Sequence, residues 1–151
     1  MKVVVDADAC PVRAQIVEAA RARGVAVVMV YDNTHRIDDG YSKCVVVDKG
    51  ADSADVALAN LLSRGDIAVT GDFGAATLAL ARGAYAISFS GMRYDESNID
   101  KLLFERFLGK KVRRGGGRTK GPHKRDAAQD TAFARAFGAL LNECCKNEKD
   151  M

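Results

Sequence analysis

The sequence predicts an α/β domain built on a mainly parallel sheet, and three observations predict it. Short continuous apolar runs recur, as in VVV before Asp6 and VAVVMVY from Val25 to Tyr31. Such runs suit strands buried on both faces, as in parallel sheets. Between them lie stretches with apolar residues at helical spacing, and the two kinds alternate along 151 residues, the length of one ordinary domain.

The first strand is the valine run that closes on Asp6. From Pro11 to Arg23, Val12, Ile16, Val17 and Ala20 fall at helical spacing, and Gly24 ends that helix. Val25 to Tyr31 is the second strand and Lys43 to Asp48 the third, all three expected to be buried on both faces. The polar loop between the second and third holds Asp32, Asn33, Thr34, His35 and Arg36. A helix is expected from about Ser53 to Arg64, a strand from Ile67 to Thr70, a helix from Phe73 to Arg82 and a strand from Ala84 to Phe89. A further helix covers Ser97 to Leu108. The last runs from about Ala127 to Cys145, with Phe133, Phe137 and Leu141 on one face. No internal repeat is present.

Composition narrows the function classes. Hydrophobic residues make up 48%, charged residues 28% and aromatics 7%, with no Trp. That balance fits a compact folded chain and excludes extensive disorder. No apolar run approaches the roughly 20 residues that span a bilayer, and the N-terminus lacks a signal-peptide pattern, so no membrane association and a cytoplasmic location are expected. Cys10, Cys44, Cys144 and Cys145 form no C-x-x-C pair, and His35 and His123 are the only histidines, so a zinc cluster is poorly supplied. Reduced, structural thiols are expected.

In an open parallel sheet, ligands bind beyond the carboxyl ends of the strands where the strand order reverses. Asp6 and Asp8 follow the first strand, Asp72 follows the strand ending VTGD, and Asp52 and Asp55 open the helix after the third strand. Three strand ends therefore deliver carboxylates to one edge. Like charges are costly to assemble unless a cation neutralises them, and oxygen donors suit Mg²⁺ or Mn²⁺. A metal held there would activate water for phosphodiester hydrolysis, with one carboxylate as base.

Each carboxylate also has a structural role open to it. Asp52 and Asp55 suit a helix start, and for Asp52 taken alone capping is the favoured role. Asp8 would cap the first helix and Asp72 the helix from Phe73. Asp6 closes the valine run itself and is the hardest to explain as a cap.

A second charge feature points to a polyanion. From Lys110 to Arg125 the chain reads KKVRRGGGRTKGPHKR, with Lys110, Lys111, Arg113, Arg114, Arg118, Lys120, Lys124 and Arg125 and no acid. The whole chain carries +3, so without these eight charges the remainder is −5. This Gly-rich loop, at about 110–126 before the C-terminal helix, would follow a phosphate backbone; a solvated connector is the structural alternative. It is not a phosphate-binding Walker loop, because Pro122 and His123 stand where Lys and Ser or Thr are required. Cys10 at a helix start suggests a thiolate, but position 16 is Ile16 and no C-x₅-R follows, so packing is favoured.

VDADACPV, GADSADVALAN, VTGDFGAATLA, the G-x-x-Y-x-x-x-NI element from Gly91 to Ile99, and GPHKR followed by Phe133 together resemble the YaiI/YqxD family of uncharacterised bacterial proteins, almost throughout the chain and in order. The family's domain is regarded as similar to PIN-domain nucleases. The resemblance implies a single PIN-like three-layer domain over 1–151, its mainly parallel sheet flanked by helices, with an acidic metal site. It would match Asp6 and Asp72 to the acidic strand ends of PIN-like sites and Asp55 to the acid contributed from a helix, while Asp8 and Asp52 belong to the family's own motifs.

The expected activity is metal-dependent hydrolysis of RNA or another phosphodiester, with Asp6, Asp72 and Asp55 central, Asp8 or Asp52 assisting, and Asn33, Arg36, Arg93 and Asn98 as candidate lining residues. One rival is a non-catalytic RNA-binding or interaction module on the same scaffold. A weaker one is a haloacid dehalogenase-like phosphatase using Asp6 and Asp8 as a strand-end D-x-D. Against it, Ala9 and Cys10 replace the usual Gly-Thr, and no second acid follows Asp72 within five residues.

Overall fold

A computed structural model of the chain describes residues 1–31, 38–47, 53–101, 104–105, 108 and 125–149. The elements run β1 (Lys2–Asp6), α1 (Arg13–Ala22), β2 (Ala26–Tyr31), β3 (Lys43–Val46), α2 (Ser53–Leu61), β4 (Ile67–Val69), α3 (Phe73–Ala81), β5 (Tyr85–Ile87) and β6 (Arg93–Tyr94). Helical residues 96–101 form α4, and α5 is Ala127–Lys149. The six strands make one sheet in the order β3-β2-β1-β4-β5-β6. All neighbours are parallel except β6, which runs antiparallel to β5.

Because successive side chains on a strand point to opposite faces, each apolar run serves two layers at once. Val3, Val5, Val27, Met29, Ile67 and Val69 face Ile16 and Ala20 of α1 and Phe133, Phe137, Leu140 and Leu141 of α5. Val4, Val28, Val30, Ala68 and Ala86 face Leu58 of α2 and Ala76 and Ala79 of α3. The result is three layers, helices over sheet over helices. Phe133 and Phe137 stack at 5.4 Å between ring centroids and anchor α5 on its face.

The expected elements are present with ends shifted by a few residues: α2 stops at Leu61 rather than Arg64, and α5 continues to Lys149. Two differences matter more. Burial on both faces is expected of the third strand, but β3 is the sheet edge and Val46 is 51% exposed. An apolar run records local composition; whether a second neighbour exists depends on the topology. β6 is not foreseen by the sequence pattern: it is two residues long and is held to β5 through Ala86↔Tyr94 and Ile87↔Arg93, which leaves no periodicity to read. All four cysteines are free, with Cys10 and Cys144 buried. Among the described residues no helix is long and apolar enough to cross a membrane.

Candidate active site

β1 stands between β2 on one side and β4 on the other, so the strand order reverses between β1 and β4. That is the position where an open parallel sheet leaves a crevice at its carboxyl edge. Asp6 ends β1, and Thr70 comes directly after β4. The Thr70 hydroxyl donates to Asp6 Oδ2 at 3.0 Å and accepts from the Asp72 backbone N–H at 3.0 Å. One fully buried hydroxyl thus joins two acidic residues across the switch point.

Asp72 caps α3, its Oδ1 accepting from the Gly74 N–H at 2.9 Å. Asp55 stands in the first turn of α2. A Cβ placed on Gly74 would lie 3.4 Å from Asp72 Oδ1 and 3.5 Å from Asp55 Oδ2, so the two carboxylates face the same small glycine. Tyr94 reaches in from β6, its hydroxyl donating to the Thr70 carbonyl at 3.2 Å.

The electrostatics agree with this crowding. Burial pushes the Asp6 carboxyl above its ordinary value; the Thr70 hydrogen bond opposes the rise, and the negative charges of Asp72 and Asp8 add to it. Burial, with a contribution from Asp72, pushes the Tyr94 phenol up to about 12. Asp8 itself is exposed.

In donor chemistry the set suits a hard cation, since every side chain in it offers oxygen. In closure it falls short: among the described residues no group of three or more His, Cys, Asp or Glu is arranged to hold a metal ion. Asp6 and Asp72 each commit one oxygen to the fold.

Other expected site residues are distributed differently. Asp52, Asn33, His35, Arg36, His123, Lys110, Lys111, Arg113, Arg114, Arg118, Lys120 and Lys124 lie outside the described residues. Arg125 is anchored, pairing with Asp130 at 2.6 Å and donating to the Phe89 carbonyl at 2.6 Å. Arg93 pairs with Glu143 on α5 at 2.7 Å. Asn98 and Asp95 exchange side-chain and backbone bonds at 2.8 Å at the start of α4, a helix-start clasp rather than a site lining. Asp8 does not cap α1, whose N-cap is Val12 with no side-chain cap bond. Cys10 is 6% exposed, and burial raises its thiol to about 11, so it packs as a thiol as expected.

Sequence reasoning missed Thr70 and Tyr94. The signal for Thr70 was present in VTGD, a hydroxyl at a strand end beside an acid. For Tyr94 there was none, because its partner is 24 residues away. A groove runs along α1, lined among others by Pro11, Arg13, Val17, Arg21 and Asp39.

Comparison with known proteins gives the family. The model described as "Uncharacterized BCR, YaiI/YqxD family" matches residues 4–143. A UPF0178 protein of Ruminiclostridium cellulolyticum is 44% identical over 151 residues, covering 100% of this chain and 99% of that protein. Those of Clostridium novyi, at 48% over 143 residues, and Clostridium tetani, at 45% over 146, cover 95% and 97% of this chain and 96% and 100% of their own. A crystal structure aligns over 99% of this chain and 97% of that one at 10% identity with a TM-score of 0.42. The chain belongs to the YaiI/YqxD family.

Proposed function

We propose that this member of the YaiI/YqxD family is a divalent-metal-dependent nuclease that hydrolyses RNA or another phosphodiester at its acidic sheet edge, in the manner of the PIN-like nucleases it resembles. The observation that carries the reading is the Asp6–Thr70–Asp72 junction at the β1/β4 switch point. Asp55 beside Gly74 and the exposed Asp8 extend the negative field. Mg²⁺ or Mn²⁺, when bound, would supply Lewis acidity and a more acidic water.

The chain's own groups have separable tasks. Thr70 holds Oδ2 of Asp6 and leaves Oδ1 to face a ligand or accept a proton. Burial and the charges of Asp72 and Asp8 raise the Asp6 carboxyl, and a bound cation would offset that cost by neutralising the repulsion. Asp72 keeps Oδ2 when Oδ1 caps α3. The seven Lys and Arg from 110 to 124 support affinity for a polyanion, while Arg125 is held by Asp130 and the Phe89 carbonyl and anchors the end of that run.

The test is cleavage of labelled single-stranded RNA with and without Mn²⁺, using wild type, Asp6→Asn and Asp72→Asn, with a small phosphomonoester beside it. Metal-dependent cleavage abolished by both substitutions supports the nuclease. Turnover of the monoester alone overturns it in favour of the phosphatase.

A second reading, an RNA-binding module without turnover, is supported by the basic run from 110 to 124 and by the oxygens of Asp6 and Asp72 already committed to the fold. In that case RNA binds without cleavage, and Asp6→Asn leaves affinity unchanged or improves it by removing repulsion.

A further inference from the structure

The side chain that holds the acidic turn comes from outside the carboxylate set. Tyr94 lies on the antiparallel strand β6 and is 5% exposed. A buried tyrosine hydroxyl needs a partner, and this one finds the carbonyl of Thr70 at 3.2 Å. Its ring also meets Phe73 edge-on, with centroids 6.1 Å apart and planes at 73°. One side chain therefore grips both ends of the Thr70–Phe73 turn, and Asp72 sits between the two grips.

The same turn is supported from below. A Cβ on Gly71 would come within 3.0 Å of the Phe89 ring, so that ring lies directly against the backbone. With the turn fixed, the Thr70 hydroxyl can serve Asp6 and the Asp72 N–H together. A displacement of Thr70 would disturb both acids at once.

We infer that Tyr94 is a positioning residue that sets the spacing of Asp6 and Asp72 by clasping the turn from Thr70 to Phe73. Its catalytic consequence rests on the nuclease reading; its structural consequence does not. With its phenol raised to about 12, Tyr94 remains a hydrogen-bond donor throughout the neutral range.

Tyr94→Phe keeps the ring on Phe73 and removes only the hydroxyl. Amide hydrogen exchange at Asp72, whose N–H donates to Thr70, is expected to accelerate about tenfold relative to the core amides of β1. In RNA cleavage kcat is expected to fall about tenfold with KM nearly unchanged, the pattern of lost transition-state alignment. Tyr85→Phe is the control, because the Tyr85 hydroxyl accepts from Asn147 at 3.3 Å and has no part in the turn. Phe73→Leu, which keeps the Tyr94 hydroxyl and removes the ring contact, is expected to give a smaller acceleration at Asp72. Unchanged Asp72 exchange in Tyr94→Phe overturns the positioning role. If wild type fails to cleave, the nuclease reading falls and the exchange measurement still decides the role of Tyr94.

Discussion

Thr70 and Asp6 are bonded at 3.0 Å because the register of two strands brings them level. β1 and β4 pair Val5 with Val69, and each polar residue stands one step beyond its valine. The hydroxyl and carboxylate therefore meet where the two chains leave the sheet for opposite sides. A slip of one residue would turn one of them into a helix layer.

Removing that hydroxyl should show its structural weight. Thr70→Val preserves shape but leaves Asp6 Oδ2 and the Asp72 N–H without their partner, which costs about 1–3 kcal/mol for a part-buried polar group. Thr70→Ser restores the hydroxyl and most of the loss. Urea denaturation of the three proteins measures the difference.

Asp6 should impose a pH dependence of known sign. Burial raises its folded carboxyl pKa above the ordinary 3.8, with the charges of Asp72 and Asp8 adding to the rise. Its contribution to stability is fully present below 3.8 and is lost as pH rises through the higher folded value. At neutral pH the ionised group opposes folding. Asp6→Asn is therefore expected to melt above wild type at pH 7, with the gap closing on acidification; a gap that widens instead would contradict the electrostatic account. Under the nuclease reading Mn²⁺ raises wild type selectively, since a ligand that binds only the folded state stabilises it.

Asp72 carries two tasks that substitution can separate. Asp72→Ala loses the cap on Gly74 N–H and is expected to cost about 1 kcal/mol of stability. Asp72→Asn keeps a capping oxygen and most of that stability but loses the charge. If the acid matters only as a cap, the Asp72→Asn protein behaves as wild type in every assay; the proposed function requires it to fold normally and fail to cleave RNA.

The valine runs made the central strands legible, because burial on both faces is written into unbroken apolar sequence. Edge position was not legible: KCVV of β3 looks buried by composition, yet Val46 stands at the sheet margin. The placement of Asp6 and Asp72 was legible, since the carboxyl ends of parallel strands share one edge of the sheet. Thr70 was half legible, since VTGD shows a hydroxyl beside an acid but not its bond to Asp6, 64 residues away; Tyr94 was not legible, because its partner is 24 residues away. Arg93 and Asn98 are candidate lining residues by sequence; the structure places Arg93 in an ion pair to α5 and Asn98 in the helix start of α4.

The basic run offers the sharpest separation of binding from folding. If it follows a phosphate backbone, each lost contact should reduce the slope of log affinity against log salt by about 0.7 for single-stranded RNA. Arg113→Gln with Arg114→Gln should thus lower the magnitude of the slope by about 1.4 if both touch phosphate, with little change in urea stability. Arg125→Gln should do the reverse, because its guanidinium is committed to Asp130 and to the Phe89 carbonyl. It loses the clasp at the start of α5 and destabilises the fold by about 1 kcal/mol or more, while the slope stays near that of wild type. Equal slopes for all three proteins would mean that the run is a solvated connector, and the polyanion would have to be bound elsewhere.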